Sequence, residues 1–145
     1  MMKRLESFAK DYGLYAVFVF SLVAMLGSLY FSNVMLLPPC ILCWYQRIAM
    51  YPLVLIAAIG IWKDDKNAVS YLLPLTLIGF GISIYHNLLY YQILPESIQP
   101  CMFGVSCTTK TIEWFGFITI PLLALVGFAM ITATLLLVRR ANCKV

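Results

Sequence analysis

Charge is scarce in this sequence. Lys, Arg, Asp and Glu together make up 11% of its 145 residues, where a soluble domain carries about a quarter. Asp and Glu are confined to Glu6, Asp11, Asp64, Asp65, Glu96 and Glu113, and none lies deep in an apolar run. That argues against a substrate-coupled transporter, which usually sets ionisable groups inside its spans. Histidine occurs once, at His86. No haem ligand pair, iron–sulfur spacing, dinucleotide fingerprint or second C-x-x-C is present. No segment between the apolar runs is long enough to fold a soluble domain, and nothing points to nucleic acid.

What the sequence does hold is apolar. Hydrophobic residues make up 63% of the chain, and its mean hydropathy is +0.92. A membrane-spanning helix needs about 20 mainly apolar residues, and four runs qualify, near 14–31, 43–62, 69–89 and 114–138. The reading is an all-α membrane protein, a four-transmembrane-helix bundle forming one polytopic domain over 1–145. Lys3, Arg4 and Lys10 precede the first run, as in a signal peptide. That run lacks a clean small-x-small cleavage site and leads into further spans, so it is read as a retained helix.

Basic residues orient the chain. Lys3, Arg4, Lys10, Lys63, Lys66, Arg139, Arg140 and Lys144 fall on one side of the spans, and Lys110 alone on the other. The positive-inside rule then predicts cytoplasmic termini. The segments 32–42 and 90–113 become outward loops, and the protein a multi-pass component of the cell membrane. Cys40, Cys43, Cys101 and Cys107 thereby face an oxidising compartment as two pairs, while Cys143 faces the reducing one.

Cys40 and Cys43 open the second run in the stretch Pro38-Pro39-Cys40-Ile41-Leu42-Cys43-Trp44-Tyr45-Gln46-Arg47. A C-x-x-C is the spacing of redox-active thiols and of half a zinc site. If a helix begins near Cys40, then Cys40, Cys43 and Arg47 share one face. The helix N-terminus and the arginine both favour a thiolate. Arg47 would lie about 6 Å below Cys43. It either snorkels to the outer headgroups or steadies an anion beside the sulfurs. His86, late in the third run among Tyr85, Asn87, Tyr90 and Tyr91, is either an interfacial histidine or a proton or hydrogen-bond donor to a bound acceptor. Cys101 and Cys107 lie in a Pro- and Gly-containing loop that could present a disulfide to a large external partner, or merely brace itself. Cys143 reads as an inert thiol.

Two outward thiol pairs, one in a loop and one at the membrane lip, make a relay that needs an electron acceptor. A lipid-soluble two-electron carrier such as a quinone is the simplest one. Here the residues closely resemble a known family. Pro39-Cys40-Ile41-Leu42-Cys43-Trp44-Tyr45-Gln46-Arg47, the four spans, the second outward pair and the late histidine resemble the DsbB family of membrane disulfide-formation proteins. The tight Cys101-x5-Cys107 spacing is most similar to its short Bacillus-type form.

The resemblance implies a quinone-dependent thiol–disulfide oxidoreductase with redox disulfides Cys40–Cys43 and Cys101–Cys107. Its partner would be an extracytoplasmic thioredoxin-fold oxidase of the DsbA type (BdbD in that branch). That partner forms a mixed disulfide with Cys101, Cys107 attacks Cys40, and Cys43 engages the quinone with Arg47 stabilising the charge. His86 matches a family histidine near the quinone. Menaquinone, rather than ubiquinone, follows from the branch alone. Longer family members place a surface helix within the second pair, and five residues cannot hold one. Whether Cys101 or Cys107 meets the partner therefore stays open. The rival readings are a vitamin K epoxide reductase-like enzyme and a cysteine-rich metal-binding sensor or transporter.

Overall fold

The structure is a computed structural model that describes residues 2–65, 67–93 and 119–143, the side chains of 2–11 and 143 excepted. Four helices account for nearly all of it: α1 (Met2–Asn33), α2 (Ile41–Lys63), α3 (Ala68–Tyr90) and α4 (Ile120–Cys143). Each contains a stretch long and apolar enough to cross a membrane, from Tyr12–Asn33 in α1 to Ile120–Asn142 in α4. α1 packs against α2 and α4, and α3 packs against the same two, so the helices close into a ring. Short connections make α1 and α2, and α2 and α3, antiparallel, and a hydrogen bond from Asn87 to the Pro121 carbonyl brings the end of α3 to the start of α4. The end of α1, the start of α2, the end of α3 and the start of α4 thus share one end of the bundle.

Local chemistry sets where the helices begin and end. Pro38 and Pro39 hold the chain out of helical conformation, since proline fixes its own φ and disfavours helix in the residue before it. α2 therefore starts only after them. Asp64 ends α2 in the left-handed region, at φ 48° and ψ 42°, and its N–H returns to the Gly60 and Ile61 carbonyls. α3 begins four residues later. Thr119 Oγ1 accepts from the Leu122 N–H at 3.4 Å, and Pro121 falls in the first turn, where its missing N–H leaves nothing unpaired. α4 runs on to Cys143, beyond the apolar run placed at 114–138; residues 114–118 lie outside the described part.

The bundle is apolar on both its inner and outer faces. Val17, Leu53, Leu72, Phe128, Ile131 and Leu135 fill its centre. Val19, Val23, Ile48, Leu55, Ile78, Val126 and Leu136 cover its exterior. Helices apolar all round belong in lipid, where packing rather than water exclusion draws them together. At Gly79 the fit is close, and a Cβ there would overlap the Phe128 ring. Buried hydroxyls return their protons to their own helices: Ser21 Oγ donates to the Val17 carbonyl, Thr76 Oγ1 to Leu72 and Thr132 Oγ1 to Phe128. Lys63, Arg139 and Arg140 all lie at the end of the bundle that carries the chain termini.

Candidate functional site

The opposite end carries the cysteines. Cys40 is the N-cap of α2, in extended conformation at φ −72° and ψ 170°. Its sulfur accepts the Cys43 N–H at 3.4 Å, the task that Ser or Asp performs at most helix starts. One turn on, Cys43 brings its own sulfur to 3.0 Å from that of Cys40. α3 supplies the third group. His86, 2% exposed, sets Nε2 at 3.7 Å from Cys40 Sγ. A hydrogen bond from the Cys43 thiol, reinforced by His86 and opposed by burial, pushes the Cys40 thiol down to about 4. Cys40 is thus poised to be the thiolate of the pair.

Arg47 reaches across the bundle. Its Nη2 donates to the Ser28 carbonyl of α1 at 3.1 Å, and its guanidinium lies 5.7 Å from the Trp44 ring centre. The charge is thereby held between α1 and α2, one turn below Cys43. Asn87, beside His86, donates through Nδ2 to the Ser83 and Pro121 carbonyls, both at 2.8 Å. That bond ties the end of α3 to the start of α4 and fixes the turn that carries the histidine.

Below the sulfurs lies a cavity of about 590 Å³. Cys40, Cys43, Gln46, Arg47, Tyr51 and His86 line one side, and mainly apolar residues of α1 and α4 the other. Several of those, including Val23, Leu123, Val126 and Met130, are also exposed on the outer surface. The cavity is therefore reached between α1 and α4, through a face that lies in lipid. Three of its buried polar atoms have no hydrogen-bond partner among the described residues: Gln46 Nε2, Tyr51 Oη and His86 Nδ1.

Sequence reasoning singled out Cys40, Cys43, Arg47 and His86, and the structure gathers these four around one cavity mouth. It places His86 closest to Cys40. Cys101 and Cys107 lie outside the described residues. Gln46 and Tyr51 were missed as site residues. The signal that marked Arg47, a polar group inside a span, applies to Gln46 as well. Cys40, Cys43 and His86 also hold their ligand-capable atoms within 4.8 Å of one another, a three-donor group of the kind that the metal-binding alternative needs.

Four membrane-length helices with two close cysteines at one helix start define a multi-pass membrane protein with a dithiol at one end of its bundle. Residues 10–138 match the family model of the disulfide bond formation protein DsbB. The chain is 53% identical to "Disulfide bond formation protein C" of Bacillus subtilis (strain 168), over 81% of this chain and 86% of that protein. It is 46% identical to "Probable disulfide formation protein C 1" of Bacillus anthracis, over 84% and 88%. It is 40% identical to "Probable disulfide formation protein" of Metapseudomonas resinovorans, over 83% and 84%. No solved structure matches. The chain belongs to the DsbB family of disulfide bond formation proteins, and with it goes thiol–disulfide oxidoreductase activity in a membrane.

Proposed function

We propose that this protein reoxidises an extracytoplasmic thioredoxin-fold thiol oxidase and passes the electrons through Cys101–Cys107 and Cys40–Cys43 to a membrane quinone. The observation that carries this reading is the dithiol at the mouth of a lipid-facing cavity with unpartnered buried polar atoms. A quinone head group fits that donor set: it is flat and apolar, with oxygens that take hydrogen bonds from neutral groups. When bound, a quinone takes up two electrons and two protons.

The residues divide the remaining work. The partner's thiolate attacks the loop disulfide at Cys101, and the freed Cys107 thiolate attacks Cys40, expelling Cys43 as a thiolate. Arg47, one turn deeper, stabilises the negative charge on that side of the cavity. His86 Nε2 is placed to hold a proton beside Cys40. The partner's second thiolate then resolves its bond to Cys101, and the freed Cys101 thiolate attacks Cys107, re-forming Cys101–Cys107 and leaving Cys40 and Cys43 as a dithiol. Closing Cys40–Cys43 again, with its two electrons and two protons passing to a quinone held in the cavity, would reset the chain. Both termini are assigned to the cytoplasm, from the cationic end of the bundle. This sets the dithiol on the outer face of the cell membrane, where disulfides persist.

The clustering of Cys40, Cys43 and His86 favours a second reading, a zinc or copper site. Metal-bound histidines, however, almost always donate their other ring N–H to a partner, and His86 Nδ1 has none among the described residues. The deciding experiment mixes the purified protein with a reduced thioredoxin-fold oxidase and short-chain quinones, following quinone absorbance. Thiol-dependent reduction by the native protein, lost in Cys40→Ser and Cys43→Ser and kept in Cys143→Ser, is expected. Absence of reduction with both benzoquinones and naphthoquinones, together with bound metal, would establish the metal site instead.

A further inference from the structure

Gln46 and Tyr51 are polar groups in a costly position. Gln46 is 7% exposed, and among the described residues neither its Nε2 nor the Tyr51 hydroxyl has a partner. Leaving a buried donor unsatisfied is unfavourable, and lipid offers no water to relieve it. Each such group in a folded protein calls for an explanation. Here both line the same cavity as the dithiol, so a ligand in that cavity is the available partner.

Their spacing on α2 describes the ligand. Gln46 lies three residues beyond Cys43, about 4.5 Å down the helix axis, and Tyr51 about 7.5 Å deeper still. Five residues turn about 140° around the helix axis, so Gln46 and Tyr51 approach the cavity from two flanks. Both groups are neutral, and each can donate as well as accept through its amide or hydroxyl. Either can hold an oxygen that is a carbonyl in one redox state and a hydroxyl in the other. A charged anchor such as Arg47 favours one state over the other.

We infer that Gln46 and Tyr51 are neutral anchors on two flanks of the cavity, each donating to an oxygen of a para-quinone and of its reduced form. The inference rests on the quinone reading above and adds to it the residues that set acceptor affinity, deep in the cavity and away from the sulfurs. Their contribution is to binding and orientation, whereas electron transfer stays with the cysteines.

The test uses the full-length oxidised protein in nanodiscs, titrated with a short-chain 1,4-naphthoquinone and a short-chain 1,4-benzoquinone while tryptophan fluorescence is followed. Gln46→Leu and Tyr51→Phe should each weaken Kd about three- to tenfold, the equivalent of one net hydrogen bond. The quinone KM should rise in parallel. Without quinone, Gln46→Leu should melt at the native temperature or above, because an unpaired donor has been removed. Unchanged Kd in both variants beside a native protein that binds would overturn the anchor and leave the quinone reading standing. A lowered melting temperature of quinone-free Gln46→Leu would overturn it too, by showing a structural role. No binding by the native protein would remove the quinone reading and the anchor with it.

Discussion

Cys40 stands where a helix usually keeps a serine or an aspartate, and sulfur in place of oxygen puts a titratable thiol at the N-cap. The free N–H groups and positive end of α2 favour a negative sulfur there, and the thiol of Cys43 at 3.0 Å can donate to it. The ordinary cysteine value is near 8.5, and that of Cys40 is pushed down to about 4. Because the shift is downward, the thiolate survives as pH falls below the ordinary range and is lost only on approach to the lower value. Reduced protein at pH 6 should therefore show thiolate absorbance near 240 nm, absent in Cys40→Ser and retained in Cys143→Ser. A signal that rises only between pH 8 and 9 would contradict the arrangement. The cysteine spacing and the intramembrane charge made Cys40, Cys43 and Arg47 legible in the sequence. The approach of His86 to Cys40 was not, because it depends on how α3 is rotated against α2. Tyr51 was hidden for a different reason: a tyrosine in a span is commonplace until its hydroxyl is found without a partner.

At the scale of elements, the apolar runs announced four helices, while their ends obeyed other chemistry. Pro38-Pro39, the left-handed Asp64 and the Thr119 cap set boundaries that hydropathy does not see. α4 shows the difference most clearly, continuing through Arg139 and Arg140 to Cys143, because charge marks the edge of lipid and not the end of a helix. The cavity, too, is an element-scale feature. Gly27 of α1 and Gly127 of α4 line the cavity, and a Cβ on either would meet nothing within 4 Å. Each position therefore has open space where a side chain would start. Gly127→Leu and Gly27→Leu should consequently leave the melting temperature nearly unchanged while raising the quinone KM several-fold, by filling the passage from lipid. Equal KM values in the native and substituted proteins would mean that acceptors enter elsewhere. No pattern of residues in the sequence revealed this opening, since a glycine in a span is ordinarily a site of close helix contact.

For the whole molecule, the arrangement of charge and sulfur along the bundle axis decides whether the chemistry can run at all. A dithiol that must be reoxidised has to face the compartment where disulfides persist, and the reducing cytoplasm would keep it open. Among the described residues, Lys63, Arg139 and Arg140 gather at the end remote from Cys40 and Cys43, and each adds to the preference of that end for the cytoplasmic side. The ring of antiparallel helices makes this bias collective: α1, α2, α3 and α4 cannot invert singly without breaking their contacts with both neighbours. A membrane-impermeant maleimide applied to intact cells after mild reduction should therefore label the protein through its outward cysteines and leave Cys143 unmodified until the membrane is permeabilised. A variant retaining Cys143 alone should remain unlabelled on intact cells. Labelling of that variant from outside would invert the bundle, placing the dithiol where the relay could not be reoxidised as drawn.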